Sequence, residues 1–154
     1  MQGEAMISNS ELKKTLNKLF GSQRLAVLAT QSEGYPYGNL VAFAATADLR
    51  SFLFATTRAT RKYNYISADP RVSLVIDNRS NEVADFGEAM AVTVQGRAEE
   101  VGERERKRLQ EFFLAKHPYL REFVSAPTCA LMQVRVEKYI SVHRFQDLME
   151  LAIE

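Results

Sequence analysis

Apolar residues near the start of the chain recur every three or four positions, which is the spacing of one face of a helix. Ser8 and Glu11 stand at the spacing of a capping box, and Ile7 precedes the pattern where a hydrophobic staple would. Gly21 is a natural stop signal. The sequence therefore predicts an N-terminal helix whose buried face consists of Leu12, Leu16, Leu19 and Phe20.

Apolar stretches of strand length follow this helix, separated by short polar turns. The turns at 31–36 and 48–50 predict a hairpin that continues into a three-stranded meander. Gly96 is a candidate for a bulge, or for a bend that closes a barrel, within a later strand. Residues 147–153 are expected to form a short helix or strand. The predicted strands cover residues 24–30, 38–46, 51–56, 72–77, 89–97 and 129–142, the last as one or two strands.

Two further helices interrupt the strands, at residues 60–68 and 103–116. In the second, Leu109, Phe112 and Phe113 share one side and charges occupy the rest, as in a helix that caps a sheet. About six antiparallel strands with short turns predict a mainly β fold, a closed or nearly closed small barrel with helices outside, and a β-sandwich is the alternative. With 154 residues the chain fits one domain, 1–154.

Composition narrows the function classes. The formal charge of +1 gives no overall field for nucleic acid or an anionic membrane. One cysteine is too few for a disulfide framework or a Cys-rich metal site. Met1 to Met6 lack the pattern of a signal peptide, and no run approaches the ~20 apolar residues of a membrane span. We expect a cytoplasmic protein without a membrane or nucleic-acid partner.

The candidate with the clearest chemistry is the segment 56–62, where a strand end passes into a helix start. It carries the hydroxyls of Thr56 and Thr60 beside Arg61 and Lys62. First-turn N–H groups and the helix dipole favour an anion, and the cations supply charge-assisted bonds to a phosphate. The alternative is that this segment is a solvated basic N-terminus of a helix without a ligand. Cations are unfavourable at that end, however, because the helix dipole favours negative charge there. The spacing does not match a P-loop.

The remaining reactive side chains support no catalytic or metal site. His117 is expected to be a capping or solvated histidine at a helix end, and Cys129 a buried apolar residue. For His143, the sequence allows two roles, a contact with a ligand or an exposed position on the surface. The tyrosines 35, 37, 63 and 65 flank the basic segment and leave single-stranded nucleic acid as an alternative ligand.

The order of the segments resembles the pyridoxamine 5′-phosphate oxidase-like family of flavin-binding split barrels, over about residues 12–142. The likeness is carried by RLAVLAT (24–30), GYPY (34–37), NLVAF (39–43), FAT (54–56), TRK (60–62), DPRVSL (69–74) and GRAE (96–99).

This resemblance implies a six-stranded antiparallel barrel of Greek-key type and a homodimer that holds FMN at the subunit interface. The family's phosphate-binding pair falls on Arg61 and Lys62, and its hydroxyl residues fall on Thr56 and Thr60. The strand that runs along the flavin falls on Asn39, Leu40, Val41 and Ala42. Asn39 replaces an arginine of the true oxidases, and a family aromatic that packs on the flavin falls near Val142, so His143 or Phe145 is expected to fill that role.

Other departures concern the substrate. Ala44 stands where the pyridoxamine oxidases have a substrate lysine, and their C-terminal Arg-x-His motif is missing after Val142. The resemblance therefore implies an FMN-binding oxidoreductase acting on a small molecule other than vitamin B6. Deazaflavin F420 and heme are alternative cofactors, and a flavin-binding or sensing module without turnover is the alternative function. No residue is assigned a catalytic role, because the cofactor carries such chemistry.

Overall fold

The computed structural model describes residues 7–154, and Met1 to Met6, from which localisation was argued, lie outside the described residues. Ser8 caps the first helix by accepting a hydrogen bond from the N–H of Glu11, so the predicted helix start is confirmed. The helices are α1 (Asn9–Ser22), α2 (Arg61–Ala68), α3 (Asp85–Glu88), α4 (Glu103–Lys116) and α5 (Arg121–Ser125), with a 3₁₀ turn at Pro118–Leu120.

Eight strands in the described residues form one antiparallel sheet. The order along it is β2-β1-β5-β6-β7-β4-β3, and β8 pairs with the free half of β7. The strands are β1 (Leu25–Ser32), β2 (Tyr35–Ala42), β3 (Ala44–Ala45), β4 (Ser51–Thr57), β5 (Arg71–Asp77), β6 (Met90–Glu100), β7 (Cys129–His143) and β8 (Asp147–Ala152). The predicted mainly β barrel with flanking helices is confirmed, with eight strands instead of six.

The curled sheet closes through a single residue, Phe43. The predicted strand at 38–46 is in fact two strands, β2 and β3, which pair with opposite ends of the sheet. Both predicted hairpins form, β1 with β2 and β3 with β4, but the three-stranded meander does not, because the middle strand is divided and β2 does not pair with β4. Phe43 is fully buried, and its N–H donates to the carbonyl of Arg24. Burial of this side chain inside the barrel holds the two ends of the sheet together.

The long strand β7 explains why the barrel is split. One edge pairs with β6 along nearly its whole length, while the other edge pairs first with β4 and then with β8. The register with β6 shifts between Gln95 and Gly96, which confirms the predicted bulge. A Cβ on Gly96 would clash with the carbonyl oxygen of Arg135, so only glycine allows the two backbones to approach this closely.

The core lies inside the barrel and α1 fills one side of it. All four predicted apolar residues of α1 are buried against Phe43, Phe52 and Tyr139. A smaller cluster joins α4 to β3 and β4. In α4 the buried residues are Leu109, Phe113 and Leu114, so Phe112, predicted to face the core, is exposed instead. Among residues 7–154, every helix is too short or too polar to cross a membrane.

Candidate functional site

The first turn of α2 places the predicted phosphate residues. Thr60 is the N-cap, and its hydroxyl oxygen accepts from the N–H of Tyr63 at 3.4 Å. The same hydroxyl donates to the carbonyl of Thr57 at 2.8 Å and lies 3.0 Å from the hydroxyl of Thr56. Residues 61 and 62 carry first-turn N–H groups that have no partner within a helix. These two N–H groups are available to an anion at the end of β4.

A cavity of about 280 Å³ opens beside this turn. One wall is β2, at Leu40, Val41 and Ala42, and another is the end of β4. Thr56, Thr60 and Lys62 line it as well, so six of the eight residues expected at the cofactor converge on one space. Leu40 is 64% exposed although it is a strand leucine. The cavity therefore combines polar groups at one end with an uncovered apolar strand at the other.

The cations near this cavity differ in how they are paired. Lys62 is half-buried, and loss of solvent lowers the pKa of its amine. Among the described residues neither Lys62 nor Arg61 forms a salt bridge, whereas Arg58 forms one with Glu100 at 2.7 Å and also donates to the carbonyl of Pro127. The hydrogen bond from Arg58 is the main cause that lowers the pKa of Glu100. Arg58 is thus neutralised, and the charge left at the cavity comes from α2.

Two of the expected residues lie elsewhere. Asn39 is absent from the cavity wall, and its Oδ1 is buried without a hydrogen-bond partner among the described residues. Arg61 is exposed beside the cavity and does not line it. The wall also contains Phe113, Leu120 and Phe123, which sequence reasoning missed. No local signal places these three residues there, because α4 and α5 reach the cavity only through tertiary packing.

None of the two histidines and the cysteine lines this cavity. Cys129 is buried, and burial raises the pKa of its thiol, as expected of an apolar residue. His117 is fully buried, so the expectation of a solvated histidine is wrong, although it does cap α4. Its Nε2 lies 2.7 Å from the carbonyl oxygen of Phe43 and therefore donates to it. His143 is half-buried, and its Nε2 has no partner among the described residues.

A second, more apolar cavity of about 540 Å³ lies on the outer side of β5, β6 and β7. Val142, Phe86 and Phe145 line it, and the two phenylalanine rings are 5.3 Å apart. Phe145 and Arg144 are non-glycine residues with φ of 61° and 51°, so the turn after β7 is held in a strained conformation. Both phenylalanines are exposed. This cavity and its rim will be called the outer apolar patch.

The outer apolar patch is far from the first cavity within one chain. Thr56 pairs with Ala130 at the beginning of β7, whereas Val142 lies near its end. Twelve residues of strand correspond to roughly 40 Å along β7. The expected contact of His143 or Phe145 with a ligand at the first cavity is therefore impossible within a single chain.

The comparisons with known proteins agree with this architecture. The model of the pyridoxamine 5′-phosphate oxidase family matches residues 12–143, which is most of the chain. The chain belongs to this family. Ala44, which the resemblance led us to expect in place of a substrate lysine, is buried against α4 in this structure.

The chain is also similar to three individual proteins. A non-canonical chloroplastic heme oxygenase of Arabidopsis thaliana is 30% identical over 94 residues, which are 61% of this chain and 28% of that protein. A heme-binding protein of Mycobacterium smegmatis superposes with a TM-score of 0.80 and 18% identity, over 97% of this chain and 60% of that one. A FAD-binding protein of Mesorhizobium loti superposes with a TM-score of 0.67 and 17% identity, over 83% of this chain and 90% of that one. The chain spans less than two thirds of the first two proteins.

Proposed function

We propose that this chain binds FMN, with the phosphate at the N-terminal end of α2 and the ring system along β2. The observation that carries this proposal is the convergence of Thr56, Thr60 and Lys62 on the same cavity as the exposed part of β2. An FMN molecule has an anionic end and an aromatic end, and the cavity offers a suitable surface to each.

The phosphate would accept hydrogen bonds from α2. The N–H groups of residues 61 and 62 are free of helix partners, and the helix dipole adds to their attraction for an anion. The Lys62 amine and the Arg61 guanidinium add charge-assisted bonds. The Thr60 hydroxyl already donates to Thr57, so its part is to hold the first turn of α2 in place.

The half-buried position of Lys62 also favours an anionic ligand. Burial removes water from the amine, and no carboxylate among the described residues replaces that water. A phosphate at this position would stabilise the charged amine and raise its pKa, because an opposite charge within a few ångströms favours the ionised form. An anionic ligand would therefore balance the charge of the Lys62 amine.

A second copy of the chain completes the site in this proposal. The first cavity holds about 280 Å³ and leaves Leu40 open to solvent, which is too little cover for a whole flavin. The family aromatic that packs on the flavin falls near Val142, at the opposite end of β7. Only a partner molecule brings the outer apolar patch, with Phe86 and Phe145, against the exposed β2. A homodimer with two cofactor sites at its interface follows.

Bound flavin would supply electron-transfer chemistry, and the protein's part would be position and exclusion of water. Lys62 and Arg61 anchor one end of the cofactor, and Phe123 with the partner's outer apolar patch would keep water from the other. We propose an oxidoreductase for a small molecule, with Ala44 in place of the lysine that would favour pyridoxamine phosphate. A flavin-binding module without turnover, and F420 in place of FMN, use the same phosphate contacts.

Heme is a second candidate cofactor, favoured by two similar proteins named for heme and by one residue. His143 has a buried Nε2 without a partner among the described residues, which would suit a ligand to the heme iron. His117 does not suit this role, because its Nε2 donates to Phe43. The heme carboxylates would take the place of the phosphate beside Lys62, and His143 of the partner subunit would reach the same heme, because His143 of the same chain lies at the other end of β7.

The first test is the visible absorption spectrum of the purified protein, followed by the mass of any molecule released on denaturation. Flavin absorption with FMN released supports the proposal. A Soret band that disappears in His143→Ala supports heme instead. A colourless protein that binds none of added FMN, F420 or heme overturns both.

The second test removes the anchoring cations. Arg61→Ala with Lys62→Ala should weaken FMN binding at least 100-fold, since each charge-assisted bond contributes about 1.5–3 kcal/mol. The control is Arg104→Ala with Lys107→Ala, which changes the net charge equally at exposed positions of α4. Fluorescence titration measures the dissociation constants. Equal losses in the two double variants would assign the effect to net charge and overturn the site.

A further inference from the structure

The carboxylate of Glu100, at the end of β6, accepts hydrogen bonds from both sides of the N-terminus of α2. Before the helix, Arg58 donates from Nη2 to one carboxylate oxygen at 2.7 Å and from Nε to the other at 3.3 Å. Within the first turn, the Tyr63 hydroxyl donates to Glu100 at 2.8 Å. The segment between these two contacts, residues 59–62, contains the N–H groups and both cations that the proposed phosphate site uses.

Arg58 is fixed by further contacts on its other side. Its backbone N–H donates to the carbonyl of Thr128 at 3.1 Å, and its Nη1 donates to the carbonyl of Pro127 at 2.8 Å. Both acceptors directly precede β7. The turn between β4 and α2 is therefore fastened to β6 through the ion pair and to the start of β7 through these carbonyls. Two hydrogen bonds between one guanidinium and one carboxylate also fix the geometry more closely than a single contact does.

Tyr63 connects the same carboxylate to the helix itself. Its N–H donates to the Thr60 hydroxyl, which caps the first turn, while its own hydroxyl reaches Glu100. The hydrogen bond from Arg58, and to a smaller extent that from Tyr63, lowers the pKa of Glu100. The carboxylate is therefore ionised at neutral pH and accepts from both donors. Backbone and side chain of one residue thus hold the first turn of α2 from two directions.

We propose that Glu100 is a positioning residue of the phosphate site, which holds Arg58 and Tyr63 and thereby keeps residues 59–62 in the conformation that presents their N–H groups and cations. This role rests on the cofactor site proposed above. Glu100 does not line the first cavity, so its contribution is the order of the turn and not a contact with the ligand. A turn free to move would have to be restricted on binding, and the conformational entropy lost in that step weakens affinity.

The test compares FMN with riboflavin, which has the same ring system and no phosphate, in fluorescence titrations of the full chain. Glu100→Gln keeps the shape of the side chain and one oxygen for Tyr63, but its amide nitrogen is unable to accept from Arg58. Tyr63→Phe removes only the hydroxyl contact. Glu99→Gln is the matched control, since it removes the same charge from the adjacent residue of β6 and with it an ion pair to Arg135 of 2.9 Å.

We expect Glu100→Gln to bind FMN at least tenfold more weakly and riboflavin with unchanged affinity, because only FMN uses the turn. Removal of a carboxylate near the site would by charge alone strengthen phosphate binding, so a loss reports on position. Tyr63→Phe should show a smaller loss for FMN only. The loss in the double variant should be smaller than the product of the two single losses, because both contacts act through one carboxylate.

Glu99→Gln should bind both ligands like the unmodified chain. Unchanged or stronger FMN binding by Glu100→Gln, equal losses for FMN and riboflavin, or equal losses in the Glu100 and Glu99 variants would overturn the proposal.

Amide hydrogen exchange of the unliganded chain tests the same role without a cofactor. In Glu100→Gln the amides of Tyr63 and Asn64, which both donate to Thr60, should exchange at least tenfold faster. The amide of Asp69, at the other end of α2, should not change. If the unmodified chain does not bind FMN, the proposed function is wrong, and these exchange rates still decide whether Glu100 orders the turn. Unchanged exchange at Tyr63 and Asn64 would overturn that role.

Discussion

His117 is the residue whose burial was least expected from its position. It is fully buried at the end of α4, donates from Nε2 to the carbonyl of Phe43, and has Nδ1 3.4 Å from the hydroxyl of Tyr119. Phe43 is the residue at which the sheet closes. One histidine therefore connects α4 to the closure of the barrel through a single hydrogen bond.

The stability of the protein should depend on this histidine below neutral pH. Burial, and secondly the nearby Lys116 and Arg24, lower the pKa of His117 below 6.5 in the folded state, although its bond to Phe43 opposes the shift. As pH falls below 6.5 the unfolded chain takes up a proton that the folded chain resists, so the free energy of unfolding decreases, by at most about 1.4 kcal/mol per pH unit. Urea denaturation at pH 7.5 and 5.5 measures the loss.

The comparison is with His117→Gln, whose side-chain amide is able to donate to the same carbonyl but does not titrate. We expect the variant to lose less stability than the unmodified chain over this interval. Identical pH dependence in the two proteins would show that His117 is not responsible, since the carboxylates are the same in both.

At the scale of elements, the bulge in β6 decides how β6 and β7 bend around the core. Gly96 lies opposite Val136, and the space for its Cβ is taken by the backbone of Arg135. Beyond the bulge, β6 continues to Glu100, where the side chain meets Arg58 and Tyr63. The bend thus carries β6 to the strand end that precedes α2.

Gly96→Ala should destabilise the protein by about 2 kcal/mol or more, because the ladder between β6 and β7 must open to admit the methyl group. Thermal and urea unfolding measure the change. Gly21→Ala is the matched control, since a Cβ at this helical position meets nothing within 4 Å, and it should be neutral or stabilising by up to about 1 kcal/mol. Similar losses for the two variants would contradict a steric role for the bulge.

At the scale of the whole molecule, the two halves of the proposed cofactor site lie at opposite ends of β7. The anion-binding end is at α2, and the outer apolar patch with Phe86 and Phe145 is near His143. Exposed apolar side chains that are contiguous, as the rings of Phe86 and Phe145 are, mark interaction surfaces. Assembly and cofactor binding should therefore depend on each other.

Phe86→Asp with Phe145→Asp should convert a dimer into monomers in analytical ultracentrifugation and weaken FMN binding at least tenfold. Burying two unpaired carboxylates in an apolar interface is strongly unfavourable. The double leucine variant at the same positions keeps the apolar surface and should remain dimeric. A monomeric unmodified chain that binds FMN with full affinity would contradict the proposed completion of the site by a partner.

The sequence by itself determined the local features of this protein. Ser8 is a helix cap as its spacing predicted, Gly96 is a bulge, and the buried face of α1 is the predicted one. These features depend on neighbours within a few residues, so their physical causes are present in the sequence itself. The ordered segments also carried enough of the family's pattern to indicate the split barrel.

Only the tertiary structure decided which distant residues meet. The division of the strand at Phe43 depends on where the sheet closes, and the burial of His117 depends on Phe43 being there. Phe113, Leu120 and Phe123 reach the cavity beside Lys62 because α4 packs against β4 and α5 against β7, and His143 is kept from it by the length of β7. Such contacts arise between residues far apart in the chain, and no local spacing encodes them.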